Sequence, residues 1–190
     1  MADAGGESSR YLIYERFDAM STGSTPAGWT TEGGLVREVP FAADKSVELH
    51  KTTGAGTATL GTTFAPQSGH VVFEAKVLAR ETAGFKAIPY IYDAAETAVA
   101  SVSFQDGSIE AHVGDTKVIV QPFVANLWYR VRVVVDTDHG VFDLFVDGVR
   151  KLHDQALRSA STAVTRLGYY LDGVQRRCSS TTSSCIARTC

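Results

Sequence analysis

Between Trp128 and Gly148 the chain reads as two strands joined by a tight turn and closed by a second, and this segment constrains the fold more than any other. Tyr129, Val131, Val133 and Val135 fall on one face of the first arm. Trp128, Arg130 and Arg132 fall on the other, the period of a strand with one buried side. In the second arm Phe142, Leu144 and Val146 point inward and Asp143 and Asp147 outward. Asp138-His139-Gly140 supplies residue types that tolerate the positive φ of a hairpin turn. The segment is predicted to be a β-hairpin.

The same short pattern recurs along the chain. Strands are predicted over Tyr11 to Phe17, Leu35 to Phe41, Ser46 to Lys51, Thr57 to Phe64, His70 to Leu78, Phe85 to Tyr92, Ala98 to Phe104, Ile109 to Val113, Lys117 to Gln121 and Val164 to Leu171. Turns separate them at Gly33-Gly34, Gly54-Ala55-Gly56, Pro66 to Gly69, Asp106-Gly107 and Gly114-Asp115. Only Val149 to Ala160 reads as able to hold a helical turn. Many short strands at even spacing argue for an all-β sandwich or barrel, and 190 residues suit one such domain.

An apolar fraction of 44% is enough to build a core, and a net charge of -3 with both signs interspersed gives no electrostatic reason to expect nucleic acid or an anionic membrane surface as partner. No apolar run approaches the roughly 18 residues of a spanning helix. Residues 1–10 are polar and lack the apolar stretch of a signal peptide, so export is either encoded upstream or not used. Cys178, Cys185 and Cys190 all lie near the end, and their odd number with no histidine beside them argues against a zinc site.

The hairpin resembles a segment common in concanavalin A-like and laminin G-like jelly-roll domains of bacterial carbohydrate-active proteins. The resemblance is carried further by Gly28-Trp29, Ser46-Val47-Glu48-Leu49, Phe64 to Gly69, Val72 to Val77 and Val102 to Ile109, in the order that family shows them. It spans about residues 11–175 and implies a two-sheet antiparallel jelly-roll sandwich, concanavalin A-like, after a disordered start at 1–10. The family's closing strand, which returns beside the first, is missing. In its place stand Arg176-Arg177-Cys178 and a Ser/Thr/Cys-rich run, so residues 176–190 are expected to add no strand. Read in another frame, Ser and Cys codons there become apolar ones, so the tail is either a frameshifted strand or a Ser/Thr-rich linker.

Alternation also groups candidate ligand residues. Glu74, Tyr90, Tyr92, Gln105, His112, Trp128, Arg130 and Arg132 all fall on the faces opposite buried positions. Together they would form either a groove suited to sugars or an ordinary solvated sheet face. Aromatic rings stack on a pyranose, and planar amide and guanidinium groups bond its hydroxyls. A retaining glycosidase needs two carboxylates about 5 Å apart, and no run of acids at the spacing of the related glucanases is present. A jelly-roll polysaccharide lyase would need a Tyr or His base with Arg and Gln beside a uronate, types that Tyr90, His112, Arg130 and Gln105 supply. His50, His70, His139 and His153 read as surface residues without companions. No Gly-x-Ser-x-Gly elbow, phosphate loop or His-Glu-x-x-His is present. Calcium is common in the family, whereas Asp136, Asp138, Asp143 and Asp147 serve equally well as turn formers. The resemblance implies a non-catalytic, lectin-like carbohydrate-binding module with no cofactor of its own. Its expected partner is a polysaccharide or glycan, and its expected setting is a secreted, multidomain polysaccharide-degrading system. Catalysis as a lyase or glycoside hydrolase, or an interaction sandwich without ligand, are the alternatives.

Overall fold

A computed structural model describes residues 12–39, 44–50, 57–172 and 184–189. The strands are β1 (Thr30–Glu32), β2 (Gly34–Glu38), β3 (Lys45–His50), β4 (Ala58–Gln67), β5 (His70–Ala79), β6 (Phe85–Tyr92), β7 (Ala98–Gln105), β8 (Ser108–Val113), β9 (Thr116–Pro122), β10 (Trp128–Asp136), β11 (Val141–Val146), β12 (Val149–Ala156), β13 (Val164–Leu171) and β14 (Ser184–Thr189). They form two seven-stranded sheets. Sheet 1 runs β1-β4-β13-β6-β7-β8-β9 and sheet 2 runs β12-β11-β10-β5-β14-β3-β2.

All the pairings are antiparallel, so each sheet presents one row of side chains inward and one outward. The inward rows share one core. Phe104 of sheet 1 meets Tyr129 of sheet 2 edge-on at 5.6 Å, and Phe64 meets Phe73 at 6.1 Å. Val131, Val133, Val135, Phe142, Leu144 and Val146 are all buried, as the alternation predicts. The hairpin register, Val133 opposite Leu144 and Val135 opposite Phe142, stacks these side chains on the same face. The result is the predicted all-β, two-sheet jelly-roll sandwich.

Three expectations are corrected. Residues 12–17 of the first predicted strand form no strand; Tyr11 lies outside the described residues. Phe17 takes φ 61°, its N–H bonds the Glu15 carboxylate at 2.6 Å, and its ring packs 6.0 Å from Trp29. The segment thus spends its aromatic residue as an anchor in the core rather than in a ladder. Second, Val149–Ala156 is a strand and not a helical turn. The positive φ of Asp147 and Gly148 reverses the chain, so that Val149 pairs with Val146 at once. As an edge strand it buries little, with only Leu152 against the core, so it has no apolar alternation to read.

The third correction concerns the tail. Ser184–Thr189 runs as a strand between β3 and β5, bonded to both. A ladder is satisfied by backbone groups whatever the side chains, and two otherwise open strand edges gain partners here. The predicted turn at Gly54-Ala55-Gly56 and residues 1–10 and 173–183 lie outside the described residues.

Candidate functional site

The predicted site residues divide between two surfaces. Tyr90 and Tyr92 on β6, Gln105 on β7 and His112 on β8 belong to sheet 1, whereas Trp128, Arg130 and Arg132 on β10 and Glu74 on β5 belong to sheet 2. Both sets point outward, so the whole sandwich separates them, and one groove holding all of them does not form. Alternation distinguishes inside from outside. It carries no information on which of two outer faces a strand joins.

On sheet 1 the outer face is built around Tyr90. Its register partners are Ser101 on β7 and Gly168 on β13, and Tyr170 lies opposite Ala87. The Tyr90 ring lies 5.0 Å from Tyr170, 6.0 Å from Tyr92 and 6.4 Å from Phe85. Gly168 keeps this platform open, because a Cβ there would come within 3.3 Å of the Tyr92 ring.

Polar groups ring the platform. Arg158 lays its guanidinium 5.7 Å from the Tyr90 ring centroid and donates to the Tyr90 hydroxyl at 3.3 Å and to Ser101 Oγ at 3.5 Å. Ser101 Oγ lies 2.9 Å from His112 Nδ1. Farther along, Lys117 donates to Gln105 at 2.6 Å, pairs with Glu110 at 2.9 Å and sits over Phe85. On the other side Arg166 covers the Tyr92 ring at 5.2 Å and pairs with Glu96.

Burial pushes the Tyr92 hydroxyl up to about 12 despite the opposing charge of Arg166, so it remains a neutral donor and acceptor at ordinary pH. His112 moves the other way. Burial first, then Arg158 and Lys117, hold its imidazole below its ordinary pKa, against the pull of Glu110 and Asp115.

The sequence reading found Tyr90, Tyr92, Gln105 and His112 but missed Arg158, Arg166, Tyr170 and Lys117. For Arg166 and Tyr170 the signal was present, since both alternate with the inward Leu167, Tyr169 and Leu171. Arg158 lies after β12, where no periodicity applies. Long-range backbone bonds place it: its N–H donates to Val99 O at 2.9 Å, beside Leu157 N–H to Gly140 O at 3.0 Å.

The outer face of sheet 2 is looser. Arg130 stands 3.7 Å from Glu74, Arg132 lies over Phe145 at 5.4 Å, and Trp128 sits at the end of β10. Of the four histidines expected at the surface, His50 is half-buried on β3, whereas His70, His139 and His153 are exposed and do have companions. His70 and His139 flank the Asp136 carboxylate at 3.2 and 2.8 Å. Burial would raise the Asp136 pKa, but hydrogen bonds from His139 outweigh it and hold the carboxyl low, and the same contact raises His139.

The aspartates named for calcium act locally. Asp136 accepts the N–H groups of Asp138 and His139, and Asp147 accepts the N–H of Arg130. Among the described residues, Asp143, His153 and Asp154 do place ligand atoms within 4.8 Å of one another. That set includes an imidazole and has Arg150 3.6 Å from Asp143, whereas calcium prefers an all-oxygen shell.

No protein-family profile matches the chain, and no curated protein sequence does. Solved structures match its fold. A sialidase aligns over 93% of this chain with a TM-score of 0.76 at 13% identity, and the chain spans 18% of that protein's length. An alginate lyase, Aly36B, in complex with an alginate trisaccharide aligns over 93% of this chain and 95% of its own, with a TM-score of 0.65 at 7% identity. The β-glucanase of Bacillus licheniformis gives the same coverage, with a TM-score of 0.62 at 13% identity. The fold is therefore the concanavalin A-like jelly roll seen in glucanases, lyases and sialidases.

Proposed function

We propose that the chain is a carbohydrate-recognition module that holds a glycan against the outer face of sheet 1, and that it works without catalysis beside a secreted bacterial polysaccharide-degrading enzyme. One observation carries the reading. Tyr92, Tyr170 and Phe85 pack around the buried Tyr90 as one cluster of tilted and edge-on rings, edged by Gln105, His112, Arg158 and Lys117. An aromatic floor with planar hydrogen-bonding groups at its edge is the chemistry that distinguishes a sugar site from a solvated sheet. The saccharide-acting proteins that share the fold support this reading by analogy.

A glycan array followed by calorimetry tests it. Tyr92→Ala and Gln105→Ala should each weaken the selected glycan by about ten-fold, the size of a lost stacking or hydrogen-bonding contact. Unchanged affinity in both would overturn the assignment of this face.

A lyase is the second reading, favoured by one specific arrangement. The Tyr90 hydroxyl, Arg158, Ser101 and His112 are linked by hydrogen bonds on one surface, with Gln105 further along β7 from Ser101, opposite Phe85. A Tyr or His base beside a cation is what removing the proton next to a uronate carboxylate requires. Appearance of ultraviolet-absorbing unsaturated products from a polysaccharide panel would establish this reading over the first.

A further inference from the structure

We propose that the glycan recognised on sheet 1 is anionic and that Arg158 receives its carboxylate or sulfate group. The inference rests on the recognition face described above and deepens it. Each of the other cations beside the platform already has a carboxylate: Arg166 pairs with Glu96, and Lys117 with Glu110 at 2.9 Å. Arg158 has no ion pair among the described residues. Its contacts are two neutral hydroxyls, at 3.3 and 3.5 Å, both made through one terminal nitrogen.

Arg158 is also half-buried and stacked on the Tyr90 ring. A guanidinium in that setting has lost part of its hydration without a counter-charge, so an arriving anion gains more there than at a solvated cation. Its planar fork of donors matches the two oxygens of a carboxylate or sulfate, which a hydroxyl-bearing neutral sugar cannot use fully. The stacked ring holds the fork in place.

The test compares chains that differ only in charge: polygalacturonate against its methyl ester, and dextran sulfate against dextran, for the intact protein, Arg158→Gln and Arg158→Lys. The intact protein should bind at least one of the two polyanions about ten-fold more tightly than its neutral counterpart, as expected for one charge-assisted contact. Arg158→Gln should abolish that preference, and Arg158→Lys should keep only part of it because an ammonium lacks the fork. The carboxylate and sulfate arms identify which oxyanion is read. Should Arg158→Gln fail to fold, nuclear magnetic resonance of His112 in the unaltered protein decides the matter, because a bound anion beside Arg158 must raise the imidazole pKa. Equal binding of charged and neutral chains, or a preference that survives Arg158→Gln, overturns the proposal while leaving the recognition face intact if Tyr92→Ala still weakens binding. Absence of binding to every chain tested overturns both.

Discussion

Val133 and Trp128 stand on the same strand and should fail in opposite ways. Val133 is buried in the shared core, and Val133→Asp places a carboxylate there without a partner, which costs several kcal/mol and unfolds the domain. Trp128 lies on the outer face of sheet 2, away from the aromatic platform. Trp128→Ala should shift the melting temperature far less than Val133→Asp and leave glycan affinity unchanged, and thermal melts with parallel calorimetry check both. His112 supplies a pH dependence. Its folded pKa lies below the ordinary 6.5, so between those two values the unfolded chain binds more protons than the folded one. Its contribution to stability is full above 6.5 and declines as pH falls through that window. The glycan response has the opposite sign. A proton on His112 adds positive charge beside Arg158, so an anionic chain should bind more tightly as pH falls through the same window, measured at constant ionic strength.

Among the elements, β14 carries the sharpest prediction. It lies inside sheet 2 with bonds to β3 on one side and β5 on the other, and its register sets positions 185 and 187 against Leu49 and Val47. Ending the chain after Gln175 removes those bonds and leaves two open edges in the middle of a sheet. The truncated protein should melt at a markedly lower temperature and associate through the exposed edges, as scanning calorimetry and light scattering would show. This element was also the hardest to read. Its six residues, Ser184-Cys185-Ile186-Ala187-Arg188-Thr189, carry too short an apolar stretch to read as a buried strand, and its strand character comes from partners far back in the chain. By contrast, β6 and β13 were legible to the residue. In β13 Leu167, Tyr169 and Leu171 alternate with outward residues, and the core periodicity fixes the bounds. The turn after β11 was legible in its Asp147-Gly148 pair, but its consequence, an exposed edge strand, was hidden by polarity.

For the molecule as a whole, sequence alternation predicted two layers around one core and left open how the strands divide between them. That single missing fact is why Tyr90 and Trp128 were grouped although they face opposite ways, and why Arg158, held by contacts distant in sequence, went unseen. The segment that carries Arg158 has a further role. Leu157 donates its N–H to Gly140, in the β10–β11 turn of sheet 2, and Arg158 donates its own to Val99, on β7 of sheet 1. Two successive amides thereby clasp the layers together at one end, directly behind the guanidinium. Immobilising that side chain should damp the parting of the layers, so the Leu157 and Arg158 amides should exchange with deuterium more slowly once an anionic chain is bound, while that of Asp147, at the opposite end of β11, exchanges as before. The clasp turns occupancy of one surface into a change in how readily the sandwich breathes.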